Sequence, residues 1–534
     1  MGAILALSIT ALFLSPRQVS GYMVGPAVSL DKMIEMADLI AKGTVVSSNP
    51  SADSPLPPVQ GFDRVATTFR VISIFKGTSG AETFTFHHYA EAPTGRGFAY
   101  MPQHYDFTNG QAYIVFARKT NTPSVFEALW RHHTAKEDEG VFRAANSAPS
   151  NAVSVKEICW QNLVALCRST NRGDVVYAVQ QLDQMSGGRW GNFIDLQDFG
   201  REQVVEEVRP LFSLKDQELV AAAVEVAAGR NPLSSPDPVF WLSSVRKGHL
   251  PGFSDGDVRW ENRTAKLLSP ELIRLAGSSA GGTLRAKAIR ALGRSHVADL
   301  PLNQWAKDPE PLVREAAVVL ATDYPGDVSE RLIRDAAEDS SAQVRKGAAL
   351  AIGFGQLEGL LPTLETLLSD RSEDVRQLAT MALLSFRLSA SGDIMRRNLA
   401  QSEYRTLLVN ALATADPKPY LRELEKIIAE NLSPARFWGG RIPSADSWDI
   451  LFKYIQSTSI SELQSGKFDD SLNALEKMKW YSSSEPRDLY ALYLQRGLTD
   501  RAKVFRDQCR NTFTYDIDYF FKMAEKSPNT YQRQ

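Results

Sequence analysis

The 534-residue sequence contains only three cysteines. Small secreted modules that depend on disulfides carry many more, so that class of fold is excluded. Cys159 and Cys167 fall on one predicted helix, where their spacing corresponds to a rise of about 12 Å, beyond the ~7 Å Cα separation that a disulfide tolerates. We therefore expect buried, reduced cysteines and a soluble globular protein stabilised by hydrophobic cores.

The sequence also lacks an excess of either charge. Lys and Arg together number 60 and Asp and Glu 62, which gives a net charge of −2. No global positive field is available to hold DNA, RNA or an acidic membrane, so a nucleic-acid partner is not expected. Long apolar runs are missing as well. The apolar run at residues 3–14 is shorter than the ~20 residues that cross a bilayer, and no later run approaches that length. We expect no transmembrane span.

Familiar catalytic signatures are absent from the sequence. It has no GxSxG, HExxH or CxxC motif, no phosphate-binding loop and no EF-hand loop. We therefore assign no catalytic residue and expect no cofactor, which favours a non-catalytic protein over an enzyme.

Residues 1–21 have the order of a signal peptide. The apolar run at 3–14 is followed by Ser15, Pro16 and the small-residue tripeptide at 19–21. This predicts export to the periplasm or the cell exterior. No positive charge precedes the apolar run, so an ordinary buried helix is the alternative.

Residues 22–148 form a predicted β module in which a short helix at 30–37 precedes the strands. β-branched and aromatic residues alternate with a period of two along several stretches. In the second stretch both faces carry apolar atoms, which favours a closed barrel or a sandwich. The predicted strands are 39–46, 65–75, 82–89, 112–117 and 125–130.

Three segments of this module carry a family resemblance. The segments ADLIAKGTV, TTFRVISIFKG and NGQAYIVFAR resemble the netrin-like, tissue-inhibitor-like group of OB-type barrels found at the start of many exported bacterial proteins. The resemblance implies an OB-like barrel. Inhibitors of that group act through an amino-terminal cysteine held by disulfides, and no cysteine lies near residue 22, so protease inhibition is not carried over.

Five of the seven histidines lie in the same module. Neighbours in a strand point to opposite faces, so each adjacent pair could offer one metal ligand per side. Scattered histidines without a metal are the preferred interpretation, and a metal site is the alternative. The five are His87, His88, His104, His132 and His133.

A self-similar unit dominates residues 155–430. Three segments, which begin at Asp308, Asp339 and Asp370, fit the pattern DxxxxVRxxA at a step of 31 residues. Weaker copies surround Arg285 and Arg405. The pattern resembles short bacterial HEAT repeats, including those grouped with phycobilisome-lyase repeats, and this implies an α-solenoid of antiparallel helix pairs.

Each recurring position of the pattern has a physical interpretation. We expect the Asp to lie at the start of the second helix, as its cap, or in the turn before it, where its carboxylate accepts backbone N–H bonds, and we expect the Val and Ala to form core. The resemblance implies that the Arg row forms a structural ladder with carboxylates of its own or the adjacent unit, and phosphate binding by this row is the alternative. The ladder residues are Asp308, Arg314, Asp339, Arg345, Asp370 and Arg376.

Two irregular segments interrupt the helical pattern. Residues 231–257 form a predicted insertion in which Phe240, Trp241 and Phe253 either make an exposed contact or, as we prefer, pack onto the helices. A second break, at 434–443, lies near the start of residues 431–534. These residues are a predicted helical cap with weakly tetratricopeptide-like turns at Gly466 and Gly497.

The sequence as a whole favours a multidomain interaction scaffold of the cell envelope or exterior that binds a protein or peptide on its solenoid. The alternative is an enzyme, either metal-dependent through the N-terminal histidines or resembling the bilin lyases and using the solenoid groove.

Overall fold

The computed structural model describes the following residues of the chain: 30–59, 61–92, 102–129, 140–146, 154–185, 201–229, 262–429, 443–477, 484–512 and 518–526. The predicted signal segment at 1–21 lies outside them, as do Phe240, Trp241 and Phe253. The chain divides into two compact units. One comprises Met1–Ser234 with Glu261–Leu300, and the other Ser235–Trp260 with Pro301–Gln534.

The first unit begins with a five-stranded closed barrel. The strands follow the order β1-β2-β3-β5-β4, and β4 pairs back onto β1 to close the barrel. Only the β3–β5 pairing is parallel among the strands described, and β6 adds to β4. The elements are α1 (Leu30–Met36), β1 (Leu39–Pro50), β2 (Phe62–Lys76), β3 (Thr83–Glu91), β4 (Ala112–Lys119), β5 (Val125–Ala128) and β6 (Val141–Ala144).

Aromatic side chains fill the barrel. Phe69 and Phe84 are fully buried and stack with ring centroids 5.0 Å apart, and Phe126 meets Phe84 edge-on. Of the two architectures left open by the sequence, the barrel is the one observed. The sequence missed β6, because four residues are too few for a period-two pattern to stand out.

Helices follow the barrel within the first unit. Asp216 caps α5 by accepting from the backbone amides of Glu218 and Leu219, and the helix ends before Gly229. Cys159 and Cys167 are buried and free on α2, as predicted. The helices are α2 (Val155–Cys167), α3 (Arg172–Met185), α4 (Arg201–Val208), α5 (Gln217–Ala228), α6 (Arg263–Leu267), α7 (Ser269–Ala276) and α8 (Gly282–Ala291).

The second unit opens with helix pairs whose second helices recur at close to the predicted 31-residue step, whereas the first helices are unevenly spaced. The first helices of the pairs are α9 (Leu302–Trp305), α11 (Asp327–Ala336), α13 (Leu361–Leu367) and α15 (Leu388–Asn398). The second helices are α10 (Pro311–Leu320), α12 (Ala342–Gly355), α14 (Glu373–Ser385) and α16 (Arg405–Ala415). The described part of this unit is therefore a helical repeat domain.

The same unit ends in further helices around a core that contains Trp448 and Tyr493. Gly466 and Gly497 both adopt positive φ, at 78° and 71°, in the turns before α20 and α22. A glycine tolerates this left-handed conformation, which explains the recurrence of Gly at these turns. The helices are α17 (Leu421–Ala429), α18 (Pro443–Ser457), α19 (Ile460–Gln464), α20 (Asp469–Lys477), α21 (Ser484–Gln495), α22 (Thr499–Thr512) and α23 (Asp518–Lys526).

Within the described ranges, no helix combines the length and the apolar character needed to cross a membrane.

Candidate interaction surface

The second helices of the repeats stack directly on one another, α10 on α12 and α12 on α14. The Val and Ala of each DxxxxVRxxA segment are buried, with Ala317, Ala348 and Ala379 fully so. Gly347 on α12 approaches α10 so closely that a Cβ at this position would lie 2.7 Å from Cγ of Glu315. Small residues thus set the separation of the stacked helices.

Arg345 links two successive repeats. Its Nε and Nη2 donate to the two carboxylate oxygens of Asp370 at 2.7 and 2.9 Å, while Nη1 donates to the carbonyl oxygens of Asp339 and Ser340 at 2.8 and 3.1 Å. The guanidinium therefore holds the turn of its own repeat and the carboxylate of the next. Such bidentate, charge-assisted bonds fix orientation as well as distance.

The same arrangement recurs at the other arginines of the row. Arg314 donates to both carboxylate oxygens of Asp339 at 2.9 Å and to the carbonyl oxygen of Asp308 at 2.9 Å. Arg376 donates to Glu403 and to the carbonyl oxygen of Asp370. Each arginine therefore bonds forward to a carboxylate beyond its own repeat and back to a carbonyl six residues before it.

Arg405, in the degenerate copy of the repeat, makes equivalent bonds. It donates to the carbonyl oxygen of Leu399, again six residues earlier, and to Glu423 at 2.9 Å. The chain of contacts thus extends beyond the three segments that match the sequence pattern.

The repeated aspartates lie in the turn before each second helix, one of the two predicted placements, and they are not the N-cap residues. Oδ1 of Asp339 accepts from the amide of Ser341 at 2.8 Å, and Asp370 does the same with Ser372. Ser341 and Ser372 are themselves the N-cap residues of α12 and α14 and make no side-chain cap bond. Each Asp therefore shapes the turn before the helix, as an Asx turn, while its carboxylate is held by the arginine.

Burial differs along the row and determines the electrostatics. Arg345 and Asp370 have side chains only 6% and 9% exposed, whereas Arg376 and Glu403 are 27% and 44% exposed. The Arg345 guanidinium holds the pKa of Asp370 below its usual range. The middle of the row is therefore an internal ion pair, and its arginine is not available to an external phosphate.

A cleft of about 290 Å³ lies between α9 and α11, above the stacked second helices. Buried side chains form its floor: Val318, Leu332, Ala336 and Val344. Helix α9 is a single turn of four residues, whereas α11 has ten. Because α9 is so short, the cleft remains open, and Val328 at its edge is 56% exposed. The sequence analysis did not identify this cleft.

The rim of the cleft carries charges that have no partner in the described part of the chain. Lys307, Arg331 and Asp335 line the cleft, and none of them makes an ion pair or a side-chain hydrogen bond with another described residue. Only Asp339, at its inner edge, is neutralised, by Arg314. The cleft thus combines an apolar floor with an unpaired charged rim.

His88 has a structural environment inside the barrel. Its Nδ1 donates to the carbonyl oxygen of Tyr89 at 2.8 Å, and its Nε2 lies 2.8 Å from the hydroxyl of Thr67. Burial lowers the pKa of His88 to about 4, so the ring is neutral at pH 7. A neutral ring that donates from Nδ1 accepts at Nε2, so both nitrogens are already in use.

The remaining predicted histidines do not assemble into a cluster where they are described. His87 points to the opposite face of β3, its Nδ1 has no partner among the described residues, and burial lowers its pKa. His104 Nδ1 lies 3.1 Å from the carbonyl oxygen of Pro102. In the described ranges no group of three His, Cys, Asp or Glu side chains could hold a metal ion. His132 and His133 lie outside those ranges.

Comparison with known proteins finds similarity only among solved structures. No family model matches the chain, and no curated protein matches it. A designed armadillo repeat protein in complex with the peptide (KR)4 is 20% identical over 42% of this chain and 98% of its own, with a TM-score of 0.28. Importin beta is 13% identical over 64% of this chain and 44% of its own, with a TM-score of 0.30. The description of the repeats therefore rests on their internal geometry.

Proposed function

We propose that this chain is a non-catalytic interaction scaffold of the cell envelope or exterior that binds a protein or peptide partner on its HEAT-type repeats. The observation that carries the proposal is the forward bond from each arginine to a carboxylate beyond its own repeat. These bonds fix each repeat to the next, and α10, α12 and α14 also stack closely. The repeats therefore form one continuous surface whose geometry the bonds maintain. Surfaces built from stacked repeats suit extended protein segments.

The finer domain assignments are part of this proposal. The strand order β1-β2-β3-β5-β4, with β4 closing onto β1, supports an OB-type module within residues 22–148. The 31-residue step supports HEAT-type repeats within 155–430, and the Gly466 and Gly497 turns support a tetratricopeptide-like cap within 431–534. Under this proposal the arginine row is a structural ladder that maintains the binding surface.

Export is the part of the proposal that rests on residues 1–21 alone. The apolar run and the small residues after it support removal of this segment during secretion. Fractionation of source cells, with sequencing of the mature amino terminus, tests it. A mature chain that begins near residue 22 outside the cytosol is the expected result, and an uncleaved cytosolic chain would refute export.

The binding function is tested by affinity capture from source-cell extracts with the full chain as bait. Wild type is compared with Val328→Asp, which adds a charge at an exposed position beside the cleft, and with Val504→Asp, a control at a 59% exposed valine on α22. We expect a partner that the first variant loses and the control retains. Failure of wild type to retain any partner in stoichiometric amount would contradict the proposal.

Metal content separates this function from the metal-dependent alternative. Untagged protein from its source is analysed by elemental mass spectrometry, beside variants in which His87 and His104 are replaced by alanine. The scaffold proposal predicts no stoichiometric metal in any sample. Near-stoichiometric zinc, copper or iron that disappears with the histidines would favour the enzyme.

A further inference from the structure

We propose that the cleft between α9 and α11 binds a protein segment in which an aliphatic side chain lies next to an acidic one. This inference rests on the proposed scaffold function and names the chemistry of the segment bound. The aliphatic side chain would occupy the apolar floor, and the carboxylate would lie between Lys307 and Arg331.

The floor is accessible because the layer of first helices is incomplete at this point. A four-residue helix rises only about 6 Å, against about 15 Å for the ten residues of α11. Val318 of α10 and Val344 of α12 consequently line the cleft instead of being covered by a longer α9. A volume of about 290 Å³ accommodates one or two side chains of a partner rather than a large ligand.

Further along the repeats a carboxylate joins two first helices. Two repeat steps after Asn303, Glu365 on α13 accepts bonds from Arg397 at 3.1 and 2.9 Å and from Asn398 at 3.0 Å, both on α15. A carboxylate thus bridges α13 and α15. At the same offset the cleft has Asn303 in place of Glu365, and Asp335 and Ala336 in place of Arg397 and Asn398, so this bridge is not repeated between α9 and α11.

The two cations of the cleft have no counter-charge among the described residues. Lys307 on the turn after α9 and Arg331 on α11 both line the cleft, and neither is paired with another described residue. Asp335, one turn along α11, forms no ion pair with either cation within the described chain. Two cations and one carboxylate leave the rim with a net positive charge, which complements an acidic residue of a partner.

The test uses the purified full chain and three fluorescein-labelled heptapeptides in fluorescence anisotropy. The first has a leucine between two glutamates, the second replaces both glutamates by lysine, and the third replaces the leucine by serine. We expect saturable binding of the first peptide and at least about tenfold weaker binding of the other two. Equal binding of all three, or no binding of the first up to about 1 mM, would overturn the inference.

Two variants locate the binding site. Lys307→Glu combined with Arg331→Glu reverses the rim charge at exposed positions and should weaken the acidic peptide by about tenfold or more. Arg334→Glu is the matched control, because Arg334 is exposed on the same helix and does not line the cleft. Equal losses in both would show a general charge effect and contradict the assignment. A natural partner retained by the double variant would refute this inference while leaving the scaffold function intact.

Discussion

Replacing Arg345 by methionine should destabilise α12 and α14 strongly. The substitution keeps an unbranched apolar stem but removes four hydrogen bonds, two to Asp370 and two to the carbonyl oxygens of Asp339 and Ser340. Asp370 would retain only its bond from the amide of Ser372. Loss of one partner from a buried ion pair costs about 3 to 5 kcal/mol, and we expect the lower end because Asp370 keeps that bond.

The matched control is Arg376→Met, at the same position of the next repeat. Arg376 and Glu403 are much more exposed than Arg345 and Asp370. Water can solvate the carboxylate that loses its partner, so the change should be small. Hydrogen exchange followed by mass spectrometry on the full chain measures the local opening free energy of α12 and α14 without assuming two-state unfolding. Equal effects of the two variants would refute the reasoning.

The pH dependence gives a second readout for the same pair. Because Arg345 lowers the pKa of Asp370 in the folded chain, the unfolded chain binds more protons just below the ordinary value of 3.8. The contribution of the pair is therefore complete above that pH and is lost as the pH falls through the lower, folded pKa. This acid-sensitive component should be absent from Asp370→Asn, which removes the titrating carboxyl, and weakened in Arg345→Met, where the largest cause of the lowered pKa of Asp370 is lost.

Three further substitutions test other parts of the structure. Lys42 is fully buried, its Nζ lies 2.7 Å from Oδ1 of Asn162, and burial lowers its pKa to about 8. The folded chain therefore loses this proton before the unfolded chain does, and the free energy of unfolding should rise between pH 8 and 10.5. The urea midpoint should show this rise in the wild type and not in Lys42→Met. Burial lowers the pKa of His88 to about 4, so the folded chain binds this proton more weakly than the unfolded chain. The free energy of unfolding of the barrel should therefore fall as the pH is lowered from 6.5 towards 4. Urea titration should show this fall in the wild type and not in His88→Phe. Gly347→Ala should destabilise the repeats by about 1 to 3 kcal/mol despite the better helix propensity of alanine, because its Cβ would meet Glu315. The control is Gly359→Ala, whose Cβ would meet nothing within 4 Å. Thermal unfolding of the two variants measures the difference in their stability.

The repeats were the part of the fold most accessible from sequence. Val344, Arg345 and Ala348 recur at a constant step, and periodic burial leaves a periodic pattern. The sequence left open whether the aspartate begins the helix or lies in the turn before it, because the two placements differ by only two positions. Nor could the sequence decide which carboxylate each arginine holds, because the partner of Arg345 lies 25 residues further along the chain.

The cleft and the histidine environments depend on contacts that one sequence does not display. The short helix α9 can be read from the sequence only once the fold is known, and only the fold shows that Lys307 and Arg331 lie on one rim. His88 on β3 contacts Thr67 on the adjacent strand β2, and this contact depends on the register between the two strands. Register is set by the whole barrel, so a local pattern of histidines could not distinguish a structural ring from a metal ligand.

The central claim is that this chain binds a partner and does no chemistry on it. The most direct measurement incubates the purified full chain with the partner obtained by affinity capture, then determines both the stoichiometry of the complex and the intact mass of the recovered partner. The account predicts a saturable complex of fixed stoichiometry and a partner of unchanged mass. A partner that is cleaved or modified in amounts exceeding the chain, with no lasting complex, would contradict it.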